Sequence, residues 1–132
     1  MPRLTAKDRL LFQEFAALFR SCAVCWWPES DMRRRMEIHH LMSGPARKHD
    51  RRNLLTLCAR CHDLHHRGDS RFPVLNNGIL LTCKAETDPD YFDPAYLAGL
   101  RHRKWLGYDP APLPEYFLQE RQSNLAWPTR QP

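Results

Sequence analysis

The sequence lacks any apolar run approaching the roughly 18 residues that a membrane-spanning helix needs. Its first residues, Met1 to Thr5, contain neither the apolar core nor the cleavage site of a secretory signal peptide. We therefore expect a cytoplasmic protein with no membrane partner. In a reducing cytoplasm, paired cysteines bind metal ions more often than they form disulfides.

The chain has 132 residues, enough for one domain but only for a small hydrophobic core. Its 20 Lys and Arg residues outnumber 15 Asp and Glu residues, and the formal net charge is +5. A positive charge favours an anionic partner such as nucleic acid. Many soluble proteins are mildly basic, however, so charge alone does not identify the partner.

The patterns of apolar and helix-capping residues divide the chain into three segments. Residues 1–21 are predicted to form a bracing helix over 5–20, capped by Thr5, with one apolar face made by Leu11, Phe15, Leu18 and Phe19. Residues 22–68 read as strand, loop, strand and helix, with strands at 33–41 and 54–57 and a helix that begins near Cys61 or His62 and stops near Gly68. Residues 69–132 are predicted to be a helical extension with a C-terminal tail.

Within this extension, Asn76-Asn77-Gly78 is compatible with a hairpin turn or with a helix over 79–85, and we favour the helix. Asp93-Pro94 is a typical helix start, since Asp caps and Pro suits the first turn. That helix is predicted to run to about Leu106, and a final helix is predicted over 115–122.

The sequence contains two Cys-x-x-Cys pairs, Cys22 with Cys25 and Cys58 with Cys61. Each such turn points two sulfurs the same way, and two turns complete the tetrahedron that Zn²⁺ prefers. Four thiolates leave no position for water, so we predict a structural zinc rather than separate or redox-active thiols. Cys83 stands alone and is predicted to be a small apolar core residue.

Histidines cluster between and after these pairs. His39 and His40 are adjacent in a predicted strand, so alternation should send their side chains to opposite faces, one toward a metal and one toward a substrate water. His62 and His66 are four apart on one helix face, a good spacing for two ligands. His65 lies about 100° off that face. The alternative is that these histidines are solvated and idle.

The sequence resembles the HNH endonucleases, in the subgroup with two zinc-binding Cys-x-x-Cys pairs. The residues that carry the resemblance are Cys22, Cys25, Glu37 to Leu41, Ser43-Gly44, Asn53-Leu54, Leu57-Cys58, Cys61-His62 and His65-His66. It implies an α+β fold, namely a small zinc-stabilised ββα-metal finger flanked by N- and C-terminal helices.

The resemblance also implies an activity, metal-dependent hydrolysis of DNA phosphodiester bonds that leaves 5′-phosphate and 3′-hydroxyl ends. It makes His40 the general base. It assigns one catalytic divalent metal to three ligands, His39, His62 and His66, with His65 as an alternative to His66. Asn53 orients the base through the loop or approaches the metal, and Glu37 orients a ligand or an arginine.

The catalytic ion is left open among Mg²⁺, Mn²⁺, Ni²⁺, Co²⁺ and Zn²⁺, although imidazole ligands suit the transition metals better than Mg²⁺. Basic side chains near the histidines are predicted to contact DNA phosphates, and these are Arg35, Arg47, Lys48, Arg51 and Arg52. The alternative for each is a solvated surface charge. Trp26 and Trp27 are expected to pack in the core rather than stack on bases.

Two other functions fit part of the pattern. A zinc-stabilised DNA-binding module that does not cut would explain the cysteines and the basic loop, but not the histidines and Asn53 together. The second is an accessory protein of a phage assembly, whose nuclease activity would require activation by a partner protein. The sequence does not distinguish nicking from double-strand cutting, or a monomer from a homodimer.

Overall fold

The structure is a computed structural model that describes residues 4–42, 48–100 and 110–126. It confirms the α+β class, with one two-stranded antiparallel sheet and helices on both sides of it in the chain. The elements, in order, are α1 (Ala6–Leu18), β1 (Met36–His40), β2 (Leu54–Cys58), α2 (Ala59–His66), α3 (Asn77–Thr87), α4 (Pro94–Gly99) and α5 (Glu115–Ala126). Within these residues, no helix is long and apolar enough to cross a bilayer. Arg47, the predicted strand break at Ser43-Gly44 and the tail from 127 lie outside the described residues.

The N-terminal helix α1 starts as predicted. The Thr5 hydroxyl accepts a hydrogen bond from the Asp8 amide at 3.0 Å, and the Asp8 carboxylate accepts one from the Thr5 amide at 3.1 Å. These bonds satisfy amides that the first helical turn leaves without partners. Within the predicted apolar face, Phe15 is buried and Leu11 and Phe19 are half-buried, but the prediction was wrong for Leu18, which is 61% exposed.

The strands β1 and β2 pair in an antiparallel register that sets Met36 opposite Cys58 and His40 opposite Leu54. Every residue of β2 is buried, whereas β1 is mostly half-buried. Helix α2 follows β2 directly, because Cys58 ends the strand and caps the helix, its sulfur accepting from the Cys61 amide at 3.4 Å. The helix begins at Ala59, two or three residues before its predicted start at Cys61 or His62, and Gly68, at φ +72°, follows its end.

In the C-terminal extension, the Asn76 side chain caps α3 by accepting from the Ile79 amide at 3.0 Å. This confirms the helix rather than the hairpin turn. The predicted length of α4 was wrong: the helix ends at Gly99, where glycine's low helix propensity weakens the last turn. Residues 101–106 of that prediction lie outside the described residues. Helix α5 runs to Ala126, four residues beyond its predicted end.

Side chains of helix α5 donate hydrogen bonds to the backbone of the first cysteine knuckle, the turn from Cys22 to Cys25. Arg121 donates to the carbonyls of Val24 at 2.7 Å and Ala23 at 3.0 Å, and Asn124 donates to that of Cys25 at 2.7 Å. Arg121 also pairs with Glu86 of α3 at 2.9 Å. The extension and the cysteine-bearing segment therefore share one core.

A buried lysine joins α3 to the start of β2. The ammonium of Lys84, fully inaccessible to solvent, donates to the carbonyls of Arg51 at 2.7 Å and Leu54 at 2.8 Å and to the Asp88 carboxylate at 2.9 Å. Asp88 also pairs with the Arg51 guanidinium at 2.8 Å. Burial lowers the pKa of Lys84, and the hydrogen bond that Lys84 donates to Asp88 opposes that effect.

Replacing Lys84 with methionine is expected to lower the free energy of unfolding by about 3 kcal/mol, because it leaves buried acceptors without their donor. Urea denaturation measures this change through the transition midpoint. Lys7, exposed on α1, provides the matched control, and Lys7→Met should leave the midpoint unchanged. Equal midpoints for the two variants would contradict a stabilising role for the buried lysine.

Candidate metal centres and active site

The two cysteine pairs meet in the interior. The four thiols of Cys22, Cys25, Cys58 and Cys61 are fully buried, and their sulfurs lie within 4.8 Å of one another. The sulfurs of Cys25 and Cys58 are 3.7 Å apart. Zn–S bonds of about 2.3 Å in a tetrahedron place sulfurs about 3.8 Å apart, so the cluster fits one zinc ion.

The four thiols of this cluster alter one another's ionisation. Hydrogen bonds from neighbouring thiols, that of Cys22 first, lower the pKa of Cys58, while contact with Cys22 raises the pKa of Cys25 and of Cys61. A divalent ion bound between the four sulfurs would stabilise all of them as thiolates. Outside the cluster, the Arg34 guanidinium lies 3.8 Å from the Cys25 sulfur and brings a compensating positive charge.

The second cluster forms where β1 faces α2. Nitrogen atoms of His39, His62 and His66 lie within 4.8 Å of one another, and the Nε2 atoms of His62 and His66 are 2.9 Å apart. Nitrogens bound to one ion at about 2.1 Å are roughly 3 Å apart at a right angle. The buried Nε2 of His39 has no hydrogen-bond partner among the described residues. A metal ion at this point would satisfy it.

Burial determines the charge of His39. Its removal from water, with smaller contributions from His65, His62 and His66, lowers the pKa of His39 to about 2. The ring is therefore neutral at neutral pH and can offer a lone pair to a cation.

Glu37 orients a histidine of this cluster and is itself held by an arginine. Its carboxylate lies 2.6 Å from Nδ1 of His62 and 2.7 Å from the Arg35 guanidinium. The hydrogen bond from Arg35, followed by that from His62, lowers the pKa of Glu37. An ionised Glu37 favours the proton on Nδ1 of His62 and leaves Nε2 for a metal ion, as carboxylates commonly do beside metal-bound histidines.

His65 occupies a different position from its neighbours. Its Nδ1 lies 2.7 Å from the Leu75 carbonyl, and its ring packs edge-on against His39 at a centroid distance of 4.9 Å. The structure therefore groups His66, rather than His65, with His39 and His62. The ligand roles themselves stay a prediction.

His40 points away from this cluster, as strand alternation predicts. Its Nε2 lies 3.1 Å from Nδ1 of His49, a residue that the sequence analysis did not single out. The rings of both histidines contact Phe12 of α1. His49 carried no motif signal, and its proximity to His40 depends on the fold of the loop between the strands.

Asn53 is fully buried and holds that loop together. Its side-chain oxygen accepts from the Met42 amide at 2.8 Å, and its amide nitrogen donates to the carbonyls of Met42 at 3.0 Å and Lys48 at 3.1 Å. Of the two roles considered for Asn53, these contacts favour orienting the base through the loop over approaching the metal.

The predicted phosphate-contacting residues differ in their surroundings. Arg35 is largely exposed beside Glu37, and Lys48 is exposed on the loop. Arg51 pairs with Asp88 and lies over the Tyr91 ring at 3.9 Å, and Arg52 pairs with Asp50 at 3.0 Å and lies over Tyr96 at 3.5 Å. Arg51 and Arg52 thus already have partners within the protein, and phosphate contact by any of these residues stays a prediction.

Two basic residues near the second cluster, Arg60 and Arg67, were not predicted from the sequence. Arg67, which follows α2, is exposed and pairs with Asp63. With Arg35 and Arg60 it lines a surface depression that His62 and His66 also line. The position of Arg67 next to His66 in the sequence was the available signal. Trp27, by contrast, is half-buried against the core, packs under Arg34 at 3.9 Å and donates to the Asp31 carbonyl. The predicted core position of Trp26 was wrong, because its side chain is exposed and lies beside Arg121.

The segment that carries both clusters matches a known protein family. Residues 22–68 match the family model of the HNH endonucleases. The HNH segment contains both cysteine pairs, the histidine cluster, His40 and Asn53, so the match confirms the resemblance seen in the sequence. No curated protein and no solved structure matches the chain significantly.

Proposed function

We propose that this protein is a metal-dependent endonuclease that hydrolyses DNA phosphodiester bonds. In this proposal His40 is the general base, and one divalent cation is held by His39, His62 and His66. The observation that carries the proposal is the division of adjacent histidines in β1: His39, itself buried, belongs to a cluster of metal-ligand type that opens toward solvent at His66, while His40 lies outside it. The match of residues 22–68 to the HNH model supports the same reading.

The chemistry requires a base, a site for phosphate and an activated leaving group. A neutral imidazole at His40 can take the proton from a water molecule as the water oxygen forms its bond to phosphorus. The bond from phosphorus to the 3′ oxygen then breaks, and that oxygen takes a proton from solvent water, which gives 5′-phosphate and 3′-hydroxyl ends. When bound, the divalent ion supplies charge stabilisation for the phosphate and the leaving oxygen.

The residues around the cluster support this chemistry in distinct ways. A neutral His39 does not cancel the charge of a cation, which favours phosphate binding. Glu37 fixes the orientation and the tautomer of His62. Imidazole ligands favour Mn²⁺, Co²⁺, Ni²⁺ or Zn²⁺ over Mg²⁺. We propose a structural Zn²⁺ in the cysteine cluster, which would stabilise the fold without taking part in the reaction.

We further propose that DNA approaches across the exposed basic side chains beside the histidine cluster. Arg35 and Arg67 border the depression next to His62 and His66, and Lys48 is exposed on the loop that also carries His49. Phosphate contacts position a duplex without reading its bases. The expected cleavage therefore has weak sequence preference, and cutting both strands would require a homodimer or two successive nicks.

Cleavage of a supercoiled plasmid tests the proposal. We expect purified protein to convert the plasmid to open-circular or linear DNA with added Mn²⁺, Co²⁺, Ni²⁺, Zn²⁺ or Mg²⁺, and to leave it intact in EDTA. His40→Ala, purified identically, excludes a contaminating nuclease if it fails to cut while still binding DNA in a gel-shift assay.

Other results would favour the alternatives. Plasmid bound but uncut with every metal would contradict an autonomous nuclease and indicate a zinc-stabilised DNA-binding module. Cutting that appears only with an added DNA-processing protein, for example from a phage, would indicate a partner-activated accessory nuclease.

A further inference from the structure

We propose that His49 is a positioning residue that holds the imidazole of the general base His40. The inference rests on the proposed function of His40 and adds to it a second histidine from the loop between the strands. In this proposal the two rings share a hydrogen bond, and that bond increases the rate of the reaction.

The two imidazoles are in direct contact. Nδ1 of His49 lies 3.1 Å from Nε2 of His40, and the ring centroids are 5.1 Å apart with planes inclined by 60°. A hydrogen bond between two imidazoles requires one nitrogen to donate and the other to accept. The contact therefore favours one ring orientation for His40, and with His49 as the acceptor it places the His40 proton on Nε2 and leaves Nδ1 unprotonated.

Helix α1 holds both rings from one side. The Phe12 ring stands edge-on to His49 at 5.1 Å and to His40 at 6.0 Å, with interplanar angles of 86° and 84°. The helix behind Phe12 is fixed by the reciprocal bonds between Thr5 and Asp8. The N-terminal helix thus packs against the base itself, in addition to bracing the fold.

The backbone on either side of His49 is also fixed. Immediately before it, the Lys48 carbonyl accepts from the buried Asn53 side chain at 3.1 Å. Immediately after it, the Asp50 carboxylate accepts from the Arg52 amide at 2.9 Å and pairs with the Arg52 side chain. The fold of this loop end therefore sets the position of His49 before any substrate binds.

Such a contact matters because an imidazole can rotate and exchange its proton between two nitrogens. General-base catalysis needs the correct nitrogen within reach of the water, and small displacements reduce the rate strongly. His49 is not in the group formed by His39, His62 and His66. Its loss should therefore slow the chemical step without weakening metal binding.

The functional experiment compares His49→Ala, His49→Asn and His49→Phe with the wild type in plasmid nicking. We expect His49→Ala to lower kcat about 10- to 100-fold, the range typical of residues that orient an active-site group, with KM unchanged. Asn places a hydrogen-bonding atom near the position of Nδ1 and should restore much of kcat. Phe restores ring packing against Phe12 but no hydrogen bond, and should remain slow.

Two further measurements separate positioning from stability and from failure of the proposed function. Thermal melting and metal content should be the same in all three variants. NMR of histidine-labelled protein should show a nitrogen–nitrogen coupling across the bond between His40 and His49, whether or not the protein cuts DNA. In a His40→Ala background, removing His49 should cause no further loss of rate.

The outcomes are distinct. Wild-type protein that cuts DNA while His49→Ala keeps full kcat would overturn the role of His49 and leave the nuclease intact. Equal kcat in His49→Phe and His49→Asn would show that His49 acts only through packing, and would likewise overturn its positioning role. Wild-type protein that never cuts would refute the proposed function, and absence of the coupling would refute the hydrogen bond.

Discussion

Cys58→Ser is expected to abolish stoichiometric zinc binding and to unfold the protein at moderate temperature. A structural zinc in a small domain contributes roughly 10 kcal/mol or more, whereas a whole domain is stable by only about 5–15 kcal/mol. Substitution of Cys58 has a large expected effect on folding because this residue ends β2, caps α2 and contributes to the buried sulfur cluster. Serine can still cap the helix, so the expected loss isolates the role of the thiolate.

Zinc content by elemental analysis and far-UV circular dichroism during a thermal melt measure this effect. Cys83 offers a matched control, since it is equally buried but lies outside the four-sulfur group. Burial raises the pKa of Cys83 to about 12, as expected of a neutral thiol. Cys83→Ala should retain one zinc per chain and lose only about 1 kcal/mol of stability. Folded Cys58→Ser protein without zinc would contradict a structural metal.

Local signals explain why much of the fold could be predicted. The side chains of Thr5 and Asn76 mark the starts of α1 and α3, because each satisfies a free amide of the first turn within three residues. The positions of the two cysteine pairs indicate which part of the sequence forms the ββα unit. Alternation in β1 separated His39 from His40, as the structure shows.

The remaining features depend on contacts between distant parts of the chain, which local patterns do not encode. Arg121 reaches the carbonyls of the first cysteine knuckle across 97 residues of sequence, and Lys84 reaches that of Leu54 across 30. The pairing of His49 with His40 requires the loop to fold back on β1. No spacing rule connects these residues, and each contact appears only when the elements pack.

The sharpest functional prediction concerns the adjacent residues His39 and His40. Alanine at either position is expected to slow single-turnover DNA cleavage about 10³-fold, at His40 because the proposed base is lost and at His39 because a proposed metal ligand is lost. His39 belongs to the histidine cluster proposed to hold the ion, whereas His40 lies outside it. His39→Ala should also weaken binding of Mn²⁺ or Ni²⁺, measured by titration calorimetry on the zinc-loaded protein, whereas His40→Ala should bind the ion as the wild type does.

His65 supplies the control for this pair, since it touches the same cluster but directs Nδ1 to the Leu75 carbonyl. His65→Gln should keep most of the cleavage rate and the metal affinity, because the ligand group retains His39, His62 and His66. A large loss of metal affinity in His65→Gln with normal binding in His66→Ala would reverse the assignment of the ligands. Weakened metal binding in His40→Ala would place that histidine on the ion and leave the reaction without its proposed base.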